Sequence, residues 1–375
     1  MPDPTLPALQ PKSQRGILIT LRQGRGRGWI WRLQHREGET MAEALQVLRM
    51  APEEIFQQSE EQRARTLGIV QYGVTEVVAD LRQLGIPVIA IQLRPLAEPV
   101  GICEVWRSQL PTQGGRMGGI HWRSNASVTF MAVDQDPMEL PLTRATEASY
   151  RALFAVMDRK KHHLLRVWNY IADIHDDGEG LERYRQFNIG RQQAYLASHR
   201  SPSDESVPAA SALGGSEAKN LSLFALSSRS RPLAIENPRQ ISAYHYPAEY
   251  GPRPPTFSRA SLVDLAGPAL FISGTASIVG HQSVHLGDCR AQTRETLGNI
   301  QVLLDEAYRQ HGARWALRDL QFKVYLRHRE DFSLVCAEME RIIGASYNGF
   351  FLQADICRRE LLVEIEALAL PLDNP

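Results

Sequence analysis

No cysteine in this chain has the spacing of a metal site or a disulfide framework. Its four cysteines, Cys103, Cys289, Cys336 and Cys357, form no CxxC pair and share no ligand spacing with histidine. They are expected to be free thiols, and no metal is expected. Net charge is lacking too, with 42 basic side chains against 42 acidic ones. No overall field therefore draws the chain to nucleic acid or to an anionic membrane. The proline-rich start MPDPTLPALQPKSQRG holds no long apolar run, which argues against a signal peptide or a membrane span and points to the cytoplasm. Neither GxGxxG nor a P-loop occurs, so no nucleotide is indicated and no cofactor is expected. A small-molecule partner is expected, and a monomer or weak oligomer.

At 375 residues the chain is long enough for two ordinary domains. Residues 1 to about 60 read as an appendage, with a proline-rich start, the run LRQGRGRGWIWR and a short helical pattern through Met41 and Arg49. One arginine-glycine run this short is better explained as a tail than as a nucleic-acid binder. Between Gly68 and Leu140, short apolar runs broken by Gly, Pro and Asn read as strands and turns. From Thr143 the order becomes helix (ATEASYRALFAVMD), strand (HLLRVWNYIADI), helix (GLERYRQFNIGRQQAYLAS) and two strands (SVPAASALG, NLSLFAL).

The last hundred residues repeat that order. After the strand ALFISGTASI, Asp288 caps a helix that stops near Gly312. LQFKVYLR alternates, Asp331 starts a helix ended by Gly344, and GFFLQADI and LLVEIEALAL close the unit. An α+β protein built by internal duplication is the economical reading, with a cleft between two units. The expected domains are an extension at 1–60, a first unit at 61–240 and a catalytic unit at 241–375.

In the closing strand, Glu364 and Glu366 share one face, opposite Val363 and Ile365. Either that face is solvated, or one carboxylate lines a cavity and holds a proton for general acid catalysis. Cys357 reads as a small polarizable wall rather than a nucleophile, because no cation is visible beside it. Gly274 follows an apolar strand, where a bulge or a close ligand would need it. YHYPAEYGPRPPTFSR gathers Tyr250, Arg253 and Arg259, and Arg327 ends a strand of the same small sheet as Glu364. Arginine forks suit carboxylates, so these residues are expected to bind a substrate with more than one acidic group. His281 and His285 are four residues apart, but the glycines around them make a loop, and a metal there is rejected.

These motifs carry a resemblance. FISGTASIVGH, KVYLRHREDF and VEIEALA resemble the Rid/YjgF-like fold. RVWNYIADI, LERYRQFNIGR, ENPRQISAYHYPAEYGPRPPTFSRA and LQADICRRELLVEIEA are similar to the chorismatase family, from about Leu67 to Leu370. The resemblance implies two Rid-like units and cofactor-free cleavage of chorismate, a dicarboxylate, with loss of pyruvate. It puts the family's catalytic glutamate on Glu364. It further places Cys357 and Gly274 at the catalytic centre as selectors of product, in the pattern of the 3-hydroxybenzoate synthase branch.

Overall fold

The computed structural model describes residues 18–23, 29–34, 45–73, 78–133, 140–204, 206–215 and 221–371. Residues 1–42 form a unit of their own. Its described part is a hairpin of β1 (Leu18–Gln23) and β2 (Trp29–Gln34). The arginine-glycine run at 24–28 lies outside the described residues.

The second unit runs from Glu43 to Pro375, so residues 45–60 are not an appendage. The helical reading of Met41 to Arg49 is corrected over Leu45 to Arg49, because Leu45–Met50 is a strand, β3, while residues 41–44 lie outside the described residues. Val47 packs into the central core while Leu48 and Met50 pack on the opposite side. A strand covered on both faces shows no alternation, which is why its period misleads. With β4 (Thr66–Tyr72), β5 (Val88–Ile91) and β6 (Cys103–Ser108) it makes a four-stranded sheet in the order β3-β6-β4-β5. A short helix, α1 (Val78–Gln83), lies between the parallel pair β4 and β5.

Two seven-stranded sheets follow. The first contains β7 (Gln113–Met117), β8 (Ile120–Ser124), β9 (Val128–Val133), β10 (His163–Ala172), β11 (Ala209–Gly215) and β12 (Leu221–Ser228). Helices α2 (Leu142–Lys160) and α3 (Arg183–Ala197) fall before and after β10. The second contains β13 (Leu233–Ile235), β14 (Ala260–Asp264), β15 (Pro268–Ala276), β16 (Gln321–Leu326), β17 (Asn348–Gln353) and β18 (Val363–Ala369). Here α4 (Cys289–His311) and α5 (Phe332–Ile343) take the equivalent places. Asp288 caps α4 through a hydrogen bond from the Ala291 amide, and Gly312 ends it in the left-handed conformation. Each seventh strand is a two-residue edge from elsewhere in the chain: Asp355–Ile356 joins β11, and Arg94–Pro95 joins β17.

All three sheets share one pattern. A central strand has a parallel neighbour on one side and an antiparallel one on the other, followed by a fourth strand: β5-β4-β6-β3, β11-β10-β12-β9 and β17-β16-β18-β15. Each sheet covers one face with its own helices. The other faces meet in a central core containing Trp106, Trp168, Phe224, Phe271 and Tyr325. No helix of the described residues is long and apolar enough to cross a membrane.

The inward faces also carry charged groups into the interior, and these are paired. Lys323 Nζ lies 2.8 Å from Glu104 and 3.3 Å from Glu366, and Arg166 lies 2.7 Å from Glu366. Two cations thus face two anions across three sheets. Glu104→Gln removes one anion and leaves Lys323 with only a shared partner. It is expected to lower unfolding stability by about 3–5 kcal/mol, with much of the loss recovered in Glu104→Gln combined with Lys323→Met. Urea titration of the three variants checks this.

Candidate active site

Pairing in the second sheet settles where the two glutamates point. Glu364 faces Tyr325 across β16, and Glu366 faces Lys323. Strand alternation keeps both carboxylates on the inward face, so Glu364 is 3 % exposed and Glu366 is 5 %. The solvated reading of that face is overturned, because β10 and β11 of the first sheet cover it.

The environments of the two groups differ. Glu366 accepts from Arg166 Nη2 at 2.7 Å, Trp168 Nε1 at 2.7 Å and Ser211 Oγ at 2.6 Å. Burial opposes its charge, but Lys323, Arg166 and these hydrogen bonds outweigh burial and hold its carboxyl below the usual range. Glu364 has no such set. Burial, and then the charge of Glu366, push it up to about 8 against a smaller pull from Arg166. One carboxylate is fixed as an anion and its neighbour keeps its proton at neutral pH.

Glu364 opens into a cavity of about 630 Å³ whose walls come from both seven-stranded units. Gly274 forms the wall beside it. The β15–β18 register shifts between Ile272 and Thr275, and Gly274 lies in that irregularity. Its amide donates to Ser211 Oγ at 3.0 Å. A Cβ at position 274 would fall 1.9 Å from Glu364 Oε1, so glycine is what lets the carboxyl lie against the backbone. Cys357 also lines the cavity. Burial first, and the Glu364 charge second, push its thiol up to about 12, so it is a neutral wall and not a thiolate.

The expected binding residues divide. Arg259 and Tyr250 line the cavity. Arg259 Nη2 donates to Ile241 O and to Tyr246 Oη, both at 2.8 Å, while its buried Nε has no partner. Tyr250 donates to His281 O at 2.8 Å. Arg253 does not line the cavity; it is exposed in the proline-rich turn. Arg327 does not line it either, because its guanidinium is consumed by Asp355 and by the carbonyls of Leu361, Ile356 and Arg358. It holds the shape of the turn that carries Cys357.

Sequence reasoning missed Arg358. Its guanidinium lies 4.1 Å from the Tyr250 ring centroid, Nη1 donates to His281 O at 2.8 Å, and its buried Nη2 is unpartnered. Two arginines before a strand read as a surface turn, and only the fold brings this one inward. Arg166 was more legible, since a lone arginine inside the apolar run HLLRVWNYI calls for a buried anion.

Residues 104–227 match the family model described as chorismatase FkbO/Hyg5-like, N-terminal. A 3-hydroxybenzoate synthase of Streptomyces hygroscopicus is 35 % identical over 319 residues, covering 81 % of this chain and 91 % of the relative. A chorismatase of Streptomyces rapamycinicus is 34 % identical over 314 residues, covering 80 % and 92 % respectively. The chain belongs to the chorismatase family. A crystal structure titled as a chorismatase superposes with a TM-score of 0.77 at 30 % identity, covering 88 % of this chain and all of that one. The chorismatase match spans both seven-stranded units, so the cavity between them lies inside the shared fold.

A proton on Glu364 has a pH signature. If this carboxyl must be protonated to act, the rate is constant below its pKa and falls as pH rises through about 8. Glu364→Gln is expected to lower kcat by about 10²–10⁴-fold with its fold intact. A pH–rate profile and circular dichroism of the variant check both.

Proposed function

We propose that this protein converts chorismate into 3-hydroxybenzoate and pyruvate, with Glu364 as the general acid. The observation that carries the reading is the buried carboxyl held neutral at the cavity wall beside an ionised twin. Chorismate joins a ring to an enolpyruvyl group through an ether oxygen. Glu364 delivers its proton to the terminal methylene carbon, the alkene pair forms the new C–H bond, and an oxocarbenium ion results. The neighbouring ring hydroxyl then attacks the ether-bearing ring carbon. That C–O bond breaks, its electrons complete the carbonyl of pyruvate, and the hydroxyl proton returns to the Glu364 carboxylate. The resulting epoxide opens at the bond to the carbon that first bore the hydroxyl as Glu364 gives its proton to the oxygen, and loss of the proton from the former ether-bearing carbon gives the aromatic product, with no net water and no redox change.

The competing course is attack of water on the oxocarbenium carbon, giving a hemiketal that collapses to pyruvate and a dihydroxycyclohexadiene carboxylate. Gly274 lets Glu364 and the ring settle against the backbone, and neutral Cys357 adds no strong water-binding group. Both features favour the internal course. Arg259 and Arg358, each with an unpartnered buried N–H, supply the carboxylate clamps. The common strand order of the three sheets is read as three diverged copies of one Rid/YjgF-like unit, with the site where the two larger copies meet.

Purified protein incubated with chorismate is expected to release pyruvate and 3-hydroxybenzoate, measured by chromatography. Gly274→Ala with Cys357→Ala should raise the share of the diene acid, since about 1.4 kcal/mol between two barriers is tenfold in product ratio. Wild type giving only the diene acid would reject the synthase assignment, while ammonia released from an enamine without chorismate turnover would favour a Rid-type deaminase.

A further inference from the structure

The motif LERYRQFNIGR contributes neither the acid nor its ionised neighbour. It opens α3, where Tyr184, Asn188 and Arg191 fall at i, i+4 and i+7 and so share one face of the helix. Tyr184 lines the cavity. Arg191 is 1 % exposed. Its Nη2 donates to Asn188 Oδ1 at 2.7 Å and its guanidinium carbon lies 4.8 Å from the Phe187 ring. Arg191 Nε and Asn188 Nδ2 are both buried without a partner. Among the described residues no carboxylate pairs with Arg191, whereas the other fully buried arginine, Arg166, has Glu366 at 2.7 Å. A buried cation without an anion is costly to keep, and an anion arriving nearby relieves that cost.

Tyr184 is the residue of this helix face that reaches the cavity wall. It shares the cavity wall with Cys357 and Glu364 and a helix face with Asn188 and Arg191, and burial, the largest influence on its phenol, keeps it protonated as a donor. Arg259 and Arg358 gather on the Tyr246 and Tyr250 rings of the second seven-stranded unit, whereas Tyr184 enters the cavity that Glu364 lines from α3 of the first. In chorismate the enolpyruvyl carboxylate is bonded to the alkene carbon next to the one that receives the proton, so it must lie at the Glu364 end of the cavity.

We propose that Tyr184 donates a hydrogen bond to the enolpyruvyl carboxylate, and that Arg191, acting through Asn188 and Tyr184, is a positioning residue that supplies the favourable charge. The proposal rests on chorismate as substrate. It splits the dicarboxylate between two poles: the aromatic–arginine pole of Arg259 and Arg358 takes the ring carboxylate, and the α3 pole takes the other.

The test uses the full chain, with chorismate as substrate and 3-hydroxybenzoate, which lacks the enolpyruvyl carboxylate, as competitive inhibitor. Tyr184→Phe should raise KM for chorismate about tenfold with a smaller change in kcat, while Ki for 3-hydroxybenzoate stays within about twofold. Arg191→Met should raise KM similarly, and the double variant should be no worse than the weaker single one, because the two act in series. If Arg191→Met fails to fold, Arg191→Lys, which keeps the charge, should hold KM near wild type. An unchanged KM in Tyr184→Phe, full additivity in the double variant, or an equal rise in Ki for 3-hydroxybenzoate would overturn the proposal. Absence of pyruvate release by the wild type is a separate outcome, which removes the chorismate reading itself.

Discussion

The site depends on a buried balance of charge. Glu366 and Glu104 are matched by Arg166 and Lys323, with contacts of 2.7–3.3 Å contributed by all three sheets. Because these four already cancel, an ionised Glu364 would find no uncommitted cation among them. Its proton is retained because burial and the fixed charge of Glu366 both oppose ionisation. The same balance does structural work, since it closes the inward faces of sheets that would otherwise bury unpaired ions.

Geometry then turns a protonated carboxyl into a useful one. Strand alternation brings Glu364 and Glu366 to the same face two residues apart, and the neighbours on β10, β11 and β16 give them different fates. The irregular stretch of β15 at Gly274 removes the side chain that would displace Glu364, and Ser211 ties that stretch to the anion: it accepts from the Gly274 amide and donates to Glu366. Acid, wall and counter-charge are thus one connected unit. A change at any of them is felt at the proton.

How far this was legible follows from what each signal encodes. Capping and periodicity are local, so α4 between Asp288 and Gly312 could be read directly, as could the alternation that pairs Glu364 with Glu366. Burial of a polar face is not local. Nothing in VEIEALA states that a second sheet lies over the glutamates, and only the resemblance to chorismatases favoured Glu364. The strand LQVLRM was read as helix because packing on both faces erases alternation. Arg327 was placed in the site because it ends the right strand, yet its guanidinium turns back to hold the 355–361 turn, and that turn delivers Arg358 instead.

The central claim is that Glu364 is a neutral carboxylic acid in the folded protein near pH 7. Isotope-edited infrared difference spectroscopy on protein labelled with ¹³C at glutamate side-chain carboxyls tests it directly, by comparing wild type with Glu364→Gln across a pH titration. The account predicts a protonated-carboxyl band in the wild type that is lost as pH rises through about 8 and is absent from the variant. Titration of every glutamate in the ordinary acidic range, with no such band at neutral pH, would contradict it.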